Sequence, residues 1–165
     1  MERLRIILAG PGAVGKTTFL RFIRTGEFDE HTPYTVGAEE SILKQLYEGK
    51  EYLLRVIDIG GQIQFSYMRK DYYSEADGAI LMFSLSFPKT LNDLKTLYKE
   101  VIDECGNIPM IITGNKSDRW DNNNFLEKNI ISTIQELRKN APICFISVKT
   151  GQNADLVFPK LLEFF

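Results

Sequence analysis

Cysteine, histidine and long apolar runs are scarce in this chain of 165 residues, and each scarcity removes a class of function. Cys105 and Cys144 stand far apart with no CxxC or Cys/His spacing, which excludes a zinc site and a disulfide framework and predicts two small buried apolar residues in a reducing compartment. The longest apolar runs, such as Ala79 to Phe83, fall far short of the ~20 residues that a membrane span requires. An excess of one charge is also missing: 20 Lys and Arg against 22 Asp and Glu leave a net charge of −2. No basic run is long enough to form a polyanion-binding stripe, so nucleic acid is not expected as a partner. The opening MERLRIILAGPG does not have the order of a signal peptide. Glu2 excludes myristoylation, and the end Leu161-Leu162-Glu163-Phe164-Phe165 carries no cysteine to prenylate. The expectation is a cytoplasmic chain with no lipid anchor of its own. The single histidine, His31, reads as an exposed loop residue and not as an acid–base group.

What is present is an alternation of short apolar runs with stretches of helical period, the pattern of an α/β protein with a parallel sheet covered by helices. Ile6-Ile7-Leu8, Ala79 to Phe83, Met110-Ile111-Ile112 and Ile143 to Ile146 read as strands buried on both faces. Leu91, Leu94, Val101 and Ile102 recur at helical spacing, as do Ile130, Ile134 and Leu137. Phe19 and Ile23 lie one turn apart in a helix that Gly26 is placed to end. From Ser41 to Ile57 two strand-like segments flank only Glu48-Gly49-Lys50, which predicts a hairpin and hence one antiparallel strand. Asp121-Asn122-Asn123-Asn124 reads as a surface loop leading into a helix. Pro159 falls in the expected last helix, which it should kink or shorten. The length suits one core, so residues 1–165 read as a single domain.

Gly10-Pro11-Gly12-Ala13-Val14-Gly15-Lys16-Thr17 matches G-x-x-x-x-G-K-[ST] between an apolar strand and an amphipathic helix, the context in which that motif binds phosphate. The glycines let the backbone fold so that successive N–H groups from Gly12, Ala13, Val14, Gly15, Lys16, Thr17 and Thr18 face the phosphates at a helix N-terminus. Lys16 brings a full positive charge toward the β and γ phosphates, and the Thr17 hydroxyl is a hard oxygen ligand suited to Mg²⁺. Kinases, motor ATPases and GTPases share such a loop, so the base must be read elsewhere. Asn115-Lys116-Ser117-Asp118 follows an apolar strand, at the end where open α/β sheets bind ligands. A carboxylate buried there accepts both N1–H and the exocyclic amine of guanine, whereas adenine would leave Asp118 unpaired. Sites built on such bonds discriminate by about 10⁴-fold.

With these motifs in order, the whole chain resembles the Ras superfamily of small GTPases. The family's D-x-x-G appears as Asp58-Ile59-Gly60-Gly61, its catalytic glutamine as Gln62, its S-A-K as Ser147-Val148-Lys149, its guanine-edge aromatic as Phe28 and its switch threonine as Thr35. The resemblance implies a P-loop G domain with a six-stranded, mostly parallel sheet, one antiparallel strand and helices on both faces. It implies that Mg²⁺ is held by Thr17, Thr35 and Asp58, that the Gly61 amide meets the γ-phosphate, and that Lys16, Thr35 and Gln62 serve slow hydrolysis of GTP to GDP. Lys116 and Lys149 would lie along the base, with the Ser147-Val148 backbone near its carbonyl and Asn115 beside it. Segments of about 27–40 and 58–75 would order with GTP and bind effectors, an exchange factor and a GTPase-activating protein, the last supplying any accelerating arginine.

Departures from the family pattern fall mostly at regulatory positions. Ile63 stands where glutamate is usual, Tyr34 directly precedes Thr35, and Val148 replaces alanine. Pro11 and Gly60 differ from Ras itself; Gly60-Gly61-Gln62 is similar to the Arf branch and Thr35-Val36-Gly37 to Rab, so no branch is assigned. Of Phe65, Tyr67, Tyr72 and Tyr73, some rings should be core and others exposed for partner contact. A kinase or ATPase would need an adenine pocket and a lid for which the chain has no room. A GTP-binding module without turnover would lose Gln62 or Thr35, and both are present. Asp118→Asn should move preference from guanine toward xanthine nucleotides, because an amide donor then faces the 2-oxo group; a competition assay in which guanine selectivity is unchanged refutes the base assignment.

Overall fold

The computed structural model describes residues 1–61, 66–121 and 124–165. The apolar runs form strands because turn residues bound them before a helix could complete three turns. β1 (Glu2–Ala9), β2 (Ala38–Tyr47), β3 (Lys50–Ile59), β4 (Gly78–Ser84), β5 (Met110–Asn115) and β6 (Ile143–Phe145) make a six-stranded sheet in the order β2-β3-β1-β4-β5-β6. β2 runs antiparallel to β3, with Leu43 opposite Leu54. The remaining pairings are parallel and set Leu4 beside Leu54, Ile7 beside Ala79, Ile80 beside Ile111 and Thr113 beside Cys144. The mixed sheet agrees with the sequence reading.

Helices α1 (Lys16–Thr25), α2 (Ser66–Tyr73), α3 (Lys89–Cys105), α4 (Asn124–Leu137) and α5 (Val157–Leu162) connect or follow the strands. The two faces of β1 show how they divide, since successive side chains in a strand point to opposite sides. Leu4, Ile6 and Leu8 pack with Phe19 and Leu20 of α1 and Phe158 and Leu161 of α5. Ile7 and Ala9 pack with Tyr73 of α2, Leu91 and Leu94 of α3 and Ile134 of α4. The rings of Phe19 and Phe158 stack at 5.8 Å between centroids and join α1 to α5. No described helix is long and apolar enough to cross a membrane.

Several local readings are refined. The hairpin connection is Glu48-Gly49 alone, because both residues adopt positive φ (49° and 76°) and Lys50 already pairs with Tyr47; this two-residue turn matches the twist of the strands it joins. Gly26 ends α1 as expected, in a left-handed conformation with its N–H donating to the Phe22 carbonyl at 2.7 Å. Pro159 lies in the first turn of α5, where the helix has an unpaired N–H in any case. That helix is short, as the proline suggested. Cys144 is buried, but Cys105 is only half-buried, because it closes the C-terminal end of α3. Burial was expected of both.

The strand order reverses at β1, which has β3 on one side and β4 on the other. In doubly wound sheets the crevice beyond the strand ends at such a point is where ligands bind. The turn after β1, the end of β3 and the loops after β5 and β6 all open toward it. Removing one ring of the α1–α5 stack tests the packing that carries α1: Phe19→Ala should lower the unfolding free energy by ~3–5 kcal/mol in urea titration, and an unchanged midpoint would contradict this placement.

Candidate functional site

The turn after β1 runs straight into α1, whose first residue is Lys16. Gly15 precedes it with φ of 100° and makes no side-chain cap, so the first amides of α1 keep their hydrogen-bonding capacity for a ligand. A Cβ at Gly15 would lie 2.4 Å from Asn115 Nδ2, so glycine is required by space as well as by φ. Lys16 is buried, and its Nζ donates to the carbonyls of Gly10 at 2.8 Å and Pro11 at 2.9 Å. Two of its three donors thus fold the turn around its own ammonium group. Burial pushes the Lys16 pKa down to about 8 against the attraction of Asp58, and the charge of Arg69 lowers it further. An anion in the crevice would favour the charged form.

Three oxygen groups converge beside this turn. Thr17 of α1 donates through Oγ1 to Asp58 Oδ2, at the end of β3. Thr35 Oγ1 lies 2.6 Å from Thr17 Oγ1 and 3.2 Å from the same Asp58 oxygen. The other oxygen, Asp58 Oδ1, is buried and has no partner among the described residues. Burial raises the Asp58 pKa, countered by the Thr17 bond, the Lys16 charge and the Thr35 bond. A buried carboxylate with a spare oxygen beside two hydroxyls is a hard-oxygen donor set and fits a small divalent cation such as Mg²⁺. Gly61 lies against the turn so closely that a Cβ there would stand 2.3 Å from the Gly10 carbonyl oxygen and 2.6 Å from the Gly12 nitrogen.

The loops after β5 and β6 meet the same turn. Asn115 bridges them: its Nδ2 donates to the Val14 carbonyl at 2.9 Å and its Oδ1 accepts from the Val148 N–H at 3.2 Å. Lys116 Nζ donates to the Ala13 carbonyl at 2.7 Å, which holds its side chain against the turn. Burial lowers the Lys116 pKa. Ser147 is buried and donates through Oγ to Asp118 Oδ1 at 2.6 Å, while its Oγ accepts from the Thr150 N–H at 3.2 Å. The hydroxyl thereby aims the carboxylate from behind.

The result is a cavity of about 500 Å³, a size suited to a small organic ligand. Gly12, Ala13, Gly15, Lys16, Thr17, Thr18 and Gly61 line one end, and Phe28, Asn115, Lys116, Asp118, Val148 and Lys149 line the other. Thr35 borders it from the 27–37 loop. Val14, Asp58 and Ser147 do not line it. Val14 packs into the core, Ser147 acts through Asp118, and Asp58 borders a smaller adjoining cavity with Thr17 and Thr35. Gln62 and Ile63 lie outside the described residues.

One expectation is corrected. Asp118 was read as a buried acid, but it is exposed, because it forms part of the open rim of the cavity. His31 is exposed on the same rim, as expected. The sequence reading missed the Ser147 hydroxyl, treated there only as backbone. It also missed an ion pair across the cavity mouth between Arg119 and Glu30 at 3.7 Å. Only the Ser147 position, two residues before Lys149 in a matched motif, carried a signal; residues 30 and 119 have no spacing rule that joins them.

A glycine-rich turn around a buried lysine, at the reversal point of a doubly wound sheet, defines the class: a P-loop α/β protein. Within that class, the sequence model of the Ras family matches residues 5–164. The chain belongs to the Ras family, whose members are GTP-binding switch GTPases. Asn115→Ala leaves the Val14 carbonyl and the Val148 N–H unpaired at ~1–3 kcal/mol each. It should lower the melting temperature and speed release of a fluorescent guanine nucleotide; stopped-flow release at the parent rate would show that the bridge is not needed.

Proposed function

We infer that this chain holds GTP and Mg²⁺ in the cavity described above, hydrolyses the terminal phosphate slowly, and reports which nucleotide is bound through its 27–40 and 58–75 segments. The observation that carries this reading is the shared cavity: a phosphate turn at one end and Asp118, braced by Ser147, at the other.

Guanine selection falls to Asp118, whose carboxylate accepts from N1–H and the exocyclic amine, while Phe28 and the stem of Lys116 offer apolar surface to the ring. Lys149 flanks the base from the loop after β6, with the Ser147-Val148 backbone beside it. The amides from Gly12 to Thr18 bind the phosphates at the start of α1. Thr17, Thr35 and Asp58 would hold Mg²⁺, which when bound would supply positive charge to offset that of the phosphate oxygens. Lys16 adds charge at the β and γ positions, where it is worth more for being desolvated. The Gly61 amide faces the γ-phosphate, and Gln62 orients the attacking water, so catalysis consists of positioning and charge stabilisation with no covalent intermediate.

The switch follows from how the first loop is anchored. Thr35 is tied to Thr17 and Asp58 while Tyr34 and Val36 on either side are exposed. Surface ion pairs from Arg21 to Asp29 at 2.7 Å and from Arg119 to Glu30 at 3.7 Å hold the start of this loop, whereas its Thr35 end is held at the metal site, so that end is fixed while the site is complete and freed when it is not. The exposed side chains beside it, with Tyr67 on α2, suit recognition by effector and regulator proteins, including an exchange factor and an activator that brings its own arginine. Buried Tyr73 and half-buried Tyr72 belong instead to the core, a division the sequence anticipated.

Purified protein should release GDP or GTP on denaturation, identified by chromatography; recovery of an adenine nucleotide overturns the reading. Gln62→Leu should bind GTP normally yet hydrolyse it about 10-fold more slowly or worse in single turnover, and a rate equal to the parent's removes Gln62 from the mechanism.

A further inference from the structure

Helix α2 is eight residues long, too short to persist by itself, so its place depends on what it docks against. It docks on α3 through an unusual contact. Arg69 Nε donates to Glu100 Oε2 at 2.9 Å and Arg69 Nη2 to Glu100 Oε1 at 3.0 Å, a two-pronged bond. The Arg69 side chain is 6% exposed and that of Glu100 31%. A second pair joins the same helices, from the next residue of α2 to a position one turn further along α3, Lys70 to Glu104 at 2.9 Å, but its lysine is 69% exposed and its glutamate 28%. At the far end of the seam, Cys105 Sγ donates to the Tyr73 carbonyl at 3.1 Å.

The two ion pairs differ in what they can do. An exposed lysine pair exchanges protein for water at little cost and admits many geometries. A buried guanidinium gripping both carboxylate oxygens admits one, and breaking it strands the buried Arg69 charge, while Glu100, like Glu104, keeps partial access to water. Hence α2 has a single docked register, and it leaves that register only if the buried Arg69 guanidinium loses both bonds and becomes hydrated. Such all-or-none behaviour is what a switch element requires. In the chain, Gln62 lies between Gly61, packed on the phosphate turn, and Ser66, the start of α2.

We propose that the Arg69–Glu100 pair is a positioning device for GTP hydrolysis: it locks the second switch to α3 in one register and so serves the chemical step, with little part in nucleotide affinity. Neither residue lines the nucleotide cavity; the Arg69 charge is felt at Lys16, so Glu100→Gln, which keeps that charge, isolates the positioning role. The corollary is that α3, outside both switches, governs turnover through Glu100. This rests on the hydrolytic reading above.

Arg69→Gln and Glu100→Gln, made singly and together, test it against Lys70→Gln and Glu104→Gln as the exposed reference pair. Each variant of the buried pair should hydrolyse GTP about 10-fold more slowly in single turnover. The double variant, which strands no charge, should be no slower than the slower single one. GDP dissociation should stay near the parent rate, and amide hydrogen exchange should quicken in α2 while α1 is unchanged. The exposed-pair variants should stay within about twofold of the parent throughout. Parent-like hydrolysis and α2 exchange in the buried-pair variants overturn the proposal. So do additive losses, equal losses from the exposed pair, or losses matched by faster GDP release and exchange throughout the chain. A parent protein that hydrolyses no GTP would defeat the functional reading, while α2 exchange would still judge the lock.

Discussion

The side-chain amide of Asn115 holds the phosphate turn and the base loops at one separation, and most of the site depends on that distance. One nitrogen and one oxygen, both used, tie Val14 after β1 to Val148 after β6. A nucleotide has a charged end and a hydrogen-bonding end, and a protein reads both at once only if its own two ends are held at a matching separation. Lys116 adds a second tie to the same turn through Ala13, and Gly15 leaves the room that the amide occupies.

Around this brace, burial does opposite things to opposite charges and leaves both in need of a ligand. Lys16 is desolvated and held by carbonyls, which lowers its pKa. Asp58 is desolvated with one oxygen unpartnered among the described residues, which raises its pKa. A polyphosphate and a divalent cation would relieve both. The fold places these groups at strand and helix ends, where backbone polar groups are already unpaired. The cost of burying them is then carried by the sheet and its two apolar faces, not by the loops.

The loops that move in a switch must be held by few contacts, and the two switch regions are held differently. The first is tied by surface ion pairs at Asp29 and Glu30 and, at its other end, by the Thr35 hydroxyl between exposed neighbours. The second ends in a short helix fixed to α3 by a buried two-pronged ion pair. A single hydroxyl contact can be lost by itself, whereas a two-pronged ion pair is lost as a unit. The two segments therefore differ in how they can come loose from the fold.

The strands, the α/β class, the phosphate turn and the base motif were legible in sequence because each is local: an apolar run, a glycine spacing, a lysine and threonine at the head of a helix, a carboxylate after a strand. Gly26 as a helix end and a hairpin connection within Glu48-Gly49-Lys50 were legible for the same reason, although the structure pairs Lys50 with Tyr47. What the tertiary structure alone decided joins residues with no spacing between them. It put Ser147 behind Asp118, Arg119 across from Glu30, Arg69 on Glu100, and left Asp118 exposed where a buried acid was expected. Local patterns state which groups a chain offers; which group orients which is set by the order in which the strands assemble, and that order is a property of the packed sheet.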